Sequence, residues 1–224
     1  AVQPLVGQVE SVAQRRHRRH IKPVLWHLDG QLKALAPIAQ IGAALDGGAR
    51  VIQYRDKKSA PEQREAIART LNALCREHAV PLLINDDVAL AALVGAAGVH
   101  IGRDDPDIAA ARATLGDTAL IGVSCYNELG RARAAQAAGA DYVAFGRFFA
   151  SRTKPQAVPA TPELLHAARA ELKIPVVAIG GITPENGATL IAAGAGALAV
   201  IEGVFGQTDI RAAAERYARL FKET

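Results

Sequence analysis

The chain has 224 residues, half of them hydrophobic and only 4% aromatic, so one large core must be built from Ala, Val, Leu and Ile, with no Met at all. Cys75 and Cys125 lie in unrelated segments, which excludes a disulfide framework and a CxxC metal spacing, and no run of about 18 apolar residues is present to cross a membrane. Much of the net charge of +4 sits in RRHRRH at 15–20, which lacks the interleaved aromatics of a nucleic-acid surface and reads as a solvated helix face or arm. With no signal-peptide order at the start, a cytoplasmic protein that acts on small molecules, with no nucleic-acid or membrane partner, is expected. A homo-oligomer is compatible with this composition.

From about residue 23 onward, short β-branched runs alternate with Ala-rich stretches of helical spacing. The predicted strands are PVLWHLD (23–29), RVIQYRD (50–56), PLLIND (81–86), GVHIG (98–102), ALIGVSC (119–125), DYVAFGR (141–147), PVVAIGG (175–181) and ALAVIEG (197–203). Helical stretches between them, such as PEQREAIARTLNALCREH and TPELLHAARAELK, open on Pro or Thr-Pro, and small Gly-containing turns precede several strands. Eight apolar strands alternating with helices predict an α/β protein whose parallel sheet closes as a (β/α)₈ barrel. It forms a single domain over 23–224, with a short basic extension at 1–22. By pattern alone, a doubly wound open sheet is the alternative.

Active sites of such barrels sit at the C-terminal ends of the strands, so the strand-end residues form one list. His27 and Asp29 end strand one. Gln53, Arg55 and Lys57 end strand two and share a face if extended geometry persists through Lys57, and convergent donors of this kind suit an anion. Asn85 and Asp86 end strand three, His100 ends strand four with Asp104 and Asp105 beyond it, and Ser124 ends strand five. Asp86 and Asp105 can supply hard oxygens to one Mg²⁺, although NDD also opens a helix, where an Asp serves as an N-cap. IGGI and VIEG, after strands seven and eight, precede helices whose first backbone amides can cradle a phosphate.

QYRDK, INDD, GVHIGRDD, IGVS, YVAFGRFFASRTKP, VVAIGGI and AVIEGVF, in this order, resemble the thiamine-phosphate synthase family over roughly residues 23–205. The resemblance implies a (β/α)₈ transferase that uses Mg²⁺. It joins 4-amino-2-methyl-5-hydroxymethylpyrimidine diphosphate to 4-methyl-5-(2-hydroxyethyl)thiazole phosphate, giving thiamine phosphate and pyrophosphate. It further implies that Gln53, Arg55, Lys57, Asn85, Ser124 and Lys154 hold the pyrimidine diphosphate, with Arg55, Lys57, Ser124 and Lys154 as the catalytic set. Asp86 and Asp105 would bind the metal. Ser151, Arg152, Thr153, Gly181, Ile201 and Glu202 would meet the thiazole phosphate.

Four places depart from the family pattern. LWHLD, which begins at Leu25, keeps only Asp29 of the usual first strand. Arg103 stands for a common Gln, Tyr126 for a common His, and Glu202 for a common Ser. A sister thiazole tautomerase shares the barrel, but its acid/base histidine would fall near Tyr126. A non-catalytic phosphate-binding or RNA-associated barrel is the alternative from another class. On this pattern Glu202 is expected to turn its carboxylate away from the phosphate and pair with a cation such as Arg147 or Arg152.

Overall fold

A computed structural model describes residues 25–29, 36–103, 107–150 and 158–222. Eight strands form a closed parallel barrel in chain order: β1 (Leu25–Asp29), β2 (Val51–Arg55), β3 (Leu82–Asn85), β4 (Gly98–Ile101), β5 (Leu120–Tyr126), β6 (Tyr142–Gly146), β7 (Val176–Ile179) and β8 (Ala197–Val200). β1 pairs with both β2 and β8, which closes the ring and leaves no open sheet edge. The basic segment 1–22 lies outside the described residues.

The helices α1 (Ala36–Asp46), α2 (Pro61–Glu77), α3 (Val88–Val94), α4 (Ile108–Leu115), α5 (Leu129–Ala137), α6 (Pro162–Glu171), α7 (Pro184–Ala193), α8 (Glu202–Phe205) and α9 (Ile210–Arg219) follow the strands. In α2, Pro lies in the first turn with Glu62, Arg76 lies in the last, and Ile67, Ala68, Leu71, Asn72 and Cys75 form its buried stripe. Asp87, Asp107 and Asp209 cap α3, α4 and α9 by accepting a backbone N–H, and Thr183 with Asn186 forms a capping box on α7. Gly95 ends α3 in the left-handed region. No helix among the described residues is long and apolar enough to cross a membrane.

The period of two along each strand divides the core into two compartments. Ile52, Tyr54, Ile84, Val99, Ile121, Val143 and Leu198 face the helices in one large cluster, whereas Val51, Leu83, Leu120, Tyr142, Ala144, Val177, Ala197 and Ala199 fill the barrel interior. Burying a side chain such as Leu71 or Leu83 contributes about 1.5–3 kcal/mol, so this patterning outweighs any single polar contact in holding the barrel. Burial pushes the thiols of Cys75 and Cys125 up to about 12, which makes both structural and unreactive.

The strands differ at their ends from the sequence expectation, mostly by being shorter, and two of these ends show local features. β2 ends at Arg55, because Asp56 Oδ1 accepts the amides of Lys58 at 2.9 Å and Ser59 at 3.0 Å and turns the chain there. Burial would raise the Asp56 carboxyl, but these bonds outweigh it and hold the group below its usual range. β5 runs on to Tyr126, with an irregularity between Ser124 and Tyr126 in its pairing to β6. At the base of β5, Asp141 Oδ2 accepts Arg112 Nη2 at 2.6 Å and the Ile121 amide at 2.8 Å, tying α4 and the start of β6 to the same strand.

Candidate active site

The mouth at the C-terminal strand ends is polar across β2 to β5. Its cleft, about 690 Å³, is walled by Arg55, Lys57, Asn85, Asp86, Arg64 and Asp87 among others. Lys57 lies in the turn after β2 rather than on the strand, yet its Nζ reaches Asp86 Oδ2 at 2.8 Å. The inward alternation carries through Arg55 only, and the turn set by Asp56 delivers the third member of QxRxK to the mouth.

The two neighbouring carboxylates of INDD take opposite tasks. Asp87 caps α3 by accepting the Leu90 amide at 2.9 Å, and Arg64 Nη1 approaches its other oxygen at 3.4 Å. Asp86 is not the cap. Its φ of 64° places it in the left-handed region that Asp tolerates, and its carboxylate opens onto the cleft with a side-chain exposure of 21%. This hard oxygen donor at the cleft wall, already beside the Lys57 ammonium, fits a Mg²⁺ ion, which takes one or two protein carboxylates and leaves its other positions to water and phosphate. Among the described residues no three His, Cys, Asp or Glu side chains come together as a complete metal cage. Asp105, the expected second ligand, lies outside the described residues, as do Ser151, Arg152, Thr153 and Lys154.

One layer deeper, the interior is a belt of polar side chains from consecutive strands. Gln53 is buried and its Nε2 donates to Asn85 Oδ1 at 2.6 Å. His100, also buried, bonds through Nε2 to Ser124 Oγ and through Nδ1 to the Tyr142 hydroxyl, both at 2.8 Å. Tyr142 spans the interior because Gly122 has no side chain: a Cβ there would fall 1.9 Å from the ring carbon Cζ. Gln53, Asn85 and Ser124 were expected from sequence, whereas the parts taken by His100 and Tyr142 were not. The signals for them are present, since His100 has the inward parity of Gly98 and the bulky Tyr142 faces a glycine strand position.

The opposite side of the mouth is built from backbone. Gly180 and Gly181 after β7 have φ of 103° and 63°, and added Cβ atoms would strike Arg147 Cβ at 2.4 Å and the Ala150 carbonyl at 2.3 Å. Phe148 and Phe149 donate their amides to the carbonyls of Ile179 and Gly180, so the β6 exit lies directly on the β7 exit. Ile201 leads into α8, whose first turn opens on the mouth and starts with Glu202. Glu202 is exposed, and its Cγ lies back along α8 near Gly206. Beneath them, the buried Tyr217 hydroxyl donates to Ile182 O at 2.9 Å and occupies the space a Cβ on Gly203 would need, bracing both glycine turns from α9.

Two departures from the family pattern meet. The Arg103 guanidinium carbon lies 4.9 Å from the Tyr126 ring centroid, and Arg103 also pairs with Glu128.

A closed parallel barrel whose mouth gathers cations and a carboxylate on one side and glycine turns on the other defines a phosphate-handling (β/α)₈ enzyme. The sequence pattern of thiamine monophosphate synthase matches residues 29–204, and the chain belongs to that family. It is 55% identical over 181 residues to the thiamine-phosphate synthase of Nitrosococcus oceani, covering 81% of this chain and 83% of the relative. To the thiamine-phosphate synthase of Marinobacter nauticus it is 50% identical over 208 residues, with 91% and 93% covered. A solved thiamine phosphate pyrophosphorylase from Pyrococcus furiosus superposes with a TM-score of 0.81 at 33% identity, covering 93% of this chain and 98% of that one.

Proposed function

We propose that this chain is a thiamine-phosphate synthase. As a transferase, it condenses 4-amino-2-methyl-5-hydroxymethylpyrimidine diphosphate with 4-methyl-5-(2-hydroxyethyl)thiazole phosphate in the cytoplasm, releasing pyrophosphate, with its basic segment 1–22 appended to one barrel domain. The observation that carries this reading is the Asp86 carboxylate presented beside Lys57 and Arg55 in one cleft. Family membership supports the same conclusion.

The chemistry asks for charge neutralisation at a departing diphosphate more than for a base. The thiazole nitrogen carries no proton to remove, and the carbon losing diphosphate is benzylic on an electron-rich ring, so the C–O bond breaks early. Arg55 and Lys57 meet the developing charge from the β2 side, and Lys154 is assigned to it from the segment after β6. Asp86 and Asp105 would hold Mg²⁺, which supplies a concentrated positive charge to the leaving group. Gln53, Asn85 and Ser124 recognise the pyrimidine from the polar belt. Ser151, Arg152, Thr153 and the backbone around Gly181, Ile201 and Glu202 take the thiazole phosphate, which places the nitrogen in line for attack.

A pyrophosphate-release assay with both substrates and Mg²⁺ tests the reading. Release that requires both substrates is expected, and an inactive, folded enzyme under these conditions would refute it. The tautomerase reading gains nothing from the structure, because the position of its histidine is taken by Tyr126 under Arg103.

A further inference from the structure

The hydrogen-bonded chain inside the barrel has a direction. Tyr142 is 1% exposed, and among the described residues its hydroxyl bonds to His100 Nδ1 alone. A buried hydroxyl carries one proton that must be donated, because leaving it unmatched costs more than the bond contributes. Donation to Nδ1 satisfies it, whereas a proton already on Nδ1 would turn the phenol into an acceptor and strand its own hydrogen. Burial, reinforced by the Asp141 charge, raises the phenol well above its ordinary value and keeps it protonated. With Nδ1 accepting, His100 carries its proton on Nε2 and donates it to Ser124 Oγ. Ser124 is only half-buried, and no other described side chain takes its hydroxyl proton.

We propose that Tyr142 is a positioning residue that fixes the His100 tautomer and so commits the Ser124 hydroxyl to donate into the mouth, selecting a substrate ring with an acceptor atom there. An aminopyrimidine offers such an atom in a ring nitrogen lone pair, and a ring with C–H or N–H at that place would face a mismatched donor. This inference rests on the synthase reading for the identity of the ring, but not for the tautomer. Gly122 belongs to the same device, since a side chain there would displace the Tyr142 ring.

The test is nitrogen NMR of ¹⁵N-histidine-labelled enzyme without substrate, joined to steady-state kinetics. Wild-type His100 is expected to show a protonated Nε2 and a bare Nδ1. Ser124→Ala should keep that signature, and Tyr142→Phe, which retains the ring, should lose it. Tyr142→Phe should also raise KM for the pyrimidine diphosphate about tenfold while KM for the thiazole phosphate stays within about twofold, a split that general loosening would not give. A wild-type proton on Nδ1, an unchanged tautomer in Tyr142→Phe, or equal rises in both KM values would overturn the proposal. Should Tyr142→Phe fail to fold, 3,5-difluorotyrosine at position 142 keeps ring and hydroxyl while strengthening the donor. The His100 Nδ1 resonance must then move, and a stationary one would also overturn it. Because the tautomer is read in ligand-free protein, an enzyme that releases no pyrophosphate would refute the synthase reading and leave the tautomer assignment standing.

Discussion

The β2–β5 side of the mouth and the β7–β8 side are built by different means. The first uses side chains: Arg55, Lys57 and Asp86 at the rim, over Gln53, Asn85, His100 and Ser124. The second rests on an apolar interior of Val177, Ala197 and Ala199 and presents glycine backbone at Gly180, Gly181 and Gly203. A side-chain site can place full charges and a metal ligand where a bond is to break. A backbone site offers fixed dipoles that hold a phosphate which does not react. Mutations on the first side should therefore appear in turnover, and mutations on the second in stability and binding.

Asp86→Asn is expected to make the sharpest cut. Asn tolerates the left-handed backbone of this position and Asp87 remains as the cap, so the fold should persist. kcat should fall about a hundredfold, roughly 2.7 kcal/mol of transition-state stabilisation. A thermal melt beside the kinetics decides, because unfolding of the variant would make Asp86 a structural residue and dissolve the contrast.

Gly203→Ala probes the other side. Its Cβ would fall 2.1 Å from a Tyr217 hydroxyl that is buried and bonded to Ile182 O, so the brace must shift. A loss of about 1–3 kcal/mol in urea unfolding is expected, with KM for the thiazole phosphate raised and kcat nearly kept. A variant as stable as the parent would show that Tyr217 does not brace the turns.

Asp87→Ala separates the neighbours of the INDD stretch: loss of the α3 cap should cost about 1 kcal/mol of stability, with kcat reduced far less than in Asp86→Asn. Equal kinetic damage in the two variants would mean that both carboxylates serve the reaction. The smallest effect is expected for Glu202→Ser. With Glu202 exposed and its Cγ lying toward Gly206, KM for the thiazole phosphate should stay within about threefold, under roughly 1 kcal/mol. A tenfold fall in that KM would put the carboxylate against the phosphate.

The barrel was legible in the sequence because strand identity depends on local pattern. β-branched runs such as VIQY, LLIN and VVAI stand between glycine turns and Pro-led helices, and each strand was found with its ends trimmed by a residue or more or, in β5, extended. Parity along a strand likewise set Gln53 and Arg55 on one face, and reading the strand ends as one list brought Asn85 and Ser124 to the mouth. The cross-barrel partners of inward residues were not legible, because these depend on the stagger between strands, a global property of closure. His100 therefore looked like one more strand-end residue until the register brought it between Ser124 and Tyr142. INDD was ambiguous for a local reason: either Asp could cap α3, and only the backbone turn at Asp86 decides.

Gly122 touches neither cleft nor substrate in the arrangement described, yet its tolerance to change is set by a neighbour on another strand. Its backbone needs no glycine-only dihedral, so the whole penalty of Gly122→Ala comes from the ring of Tyr142. The two positions should consequently show strong epistasis over evolutionary time. A side chain at 122 is harmful beside a tyrosine and acceptable only after residue 142 has become small, and that first step severs the hydroxyl link to His100. Lineages that keep the chemistry are confined to the glycine and tyrosine together, and drift at one site is closed off by the other.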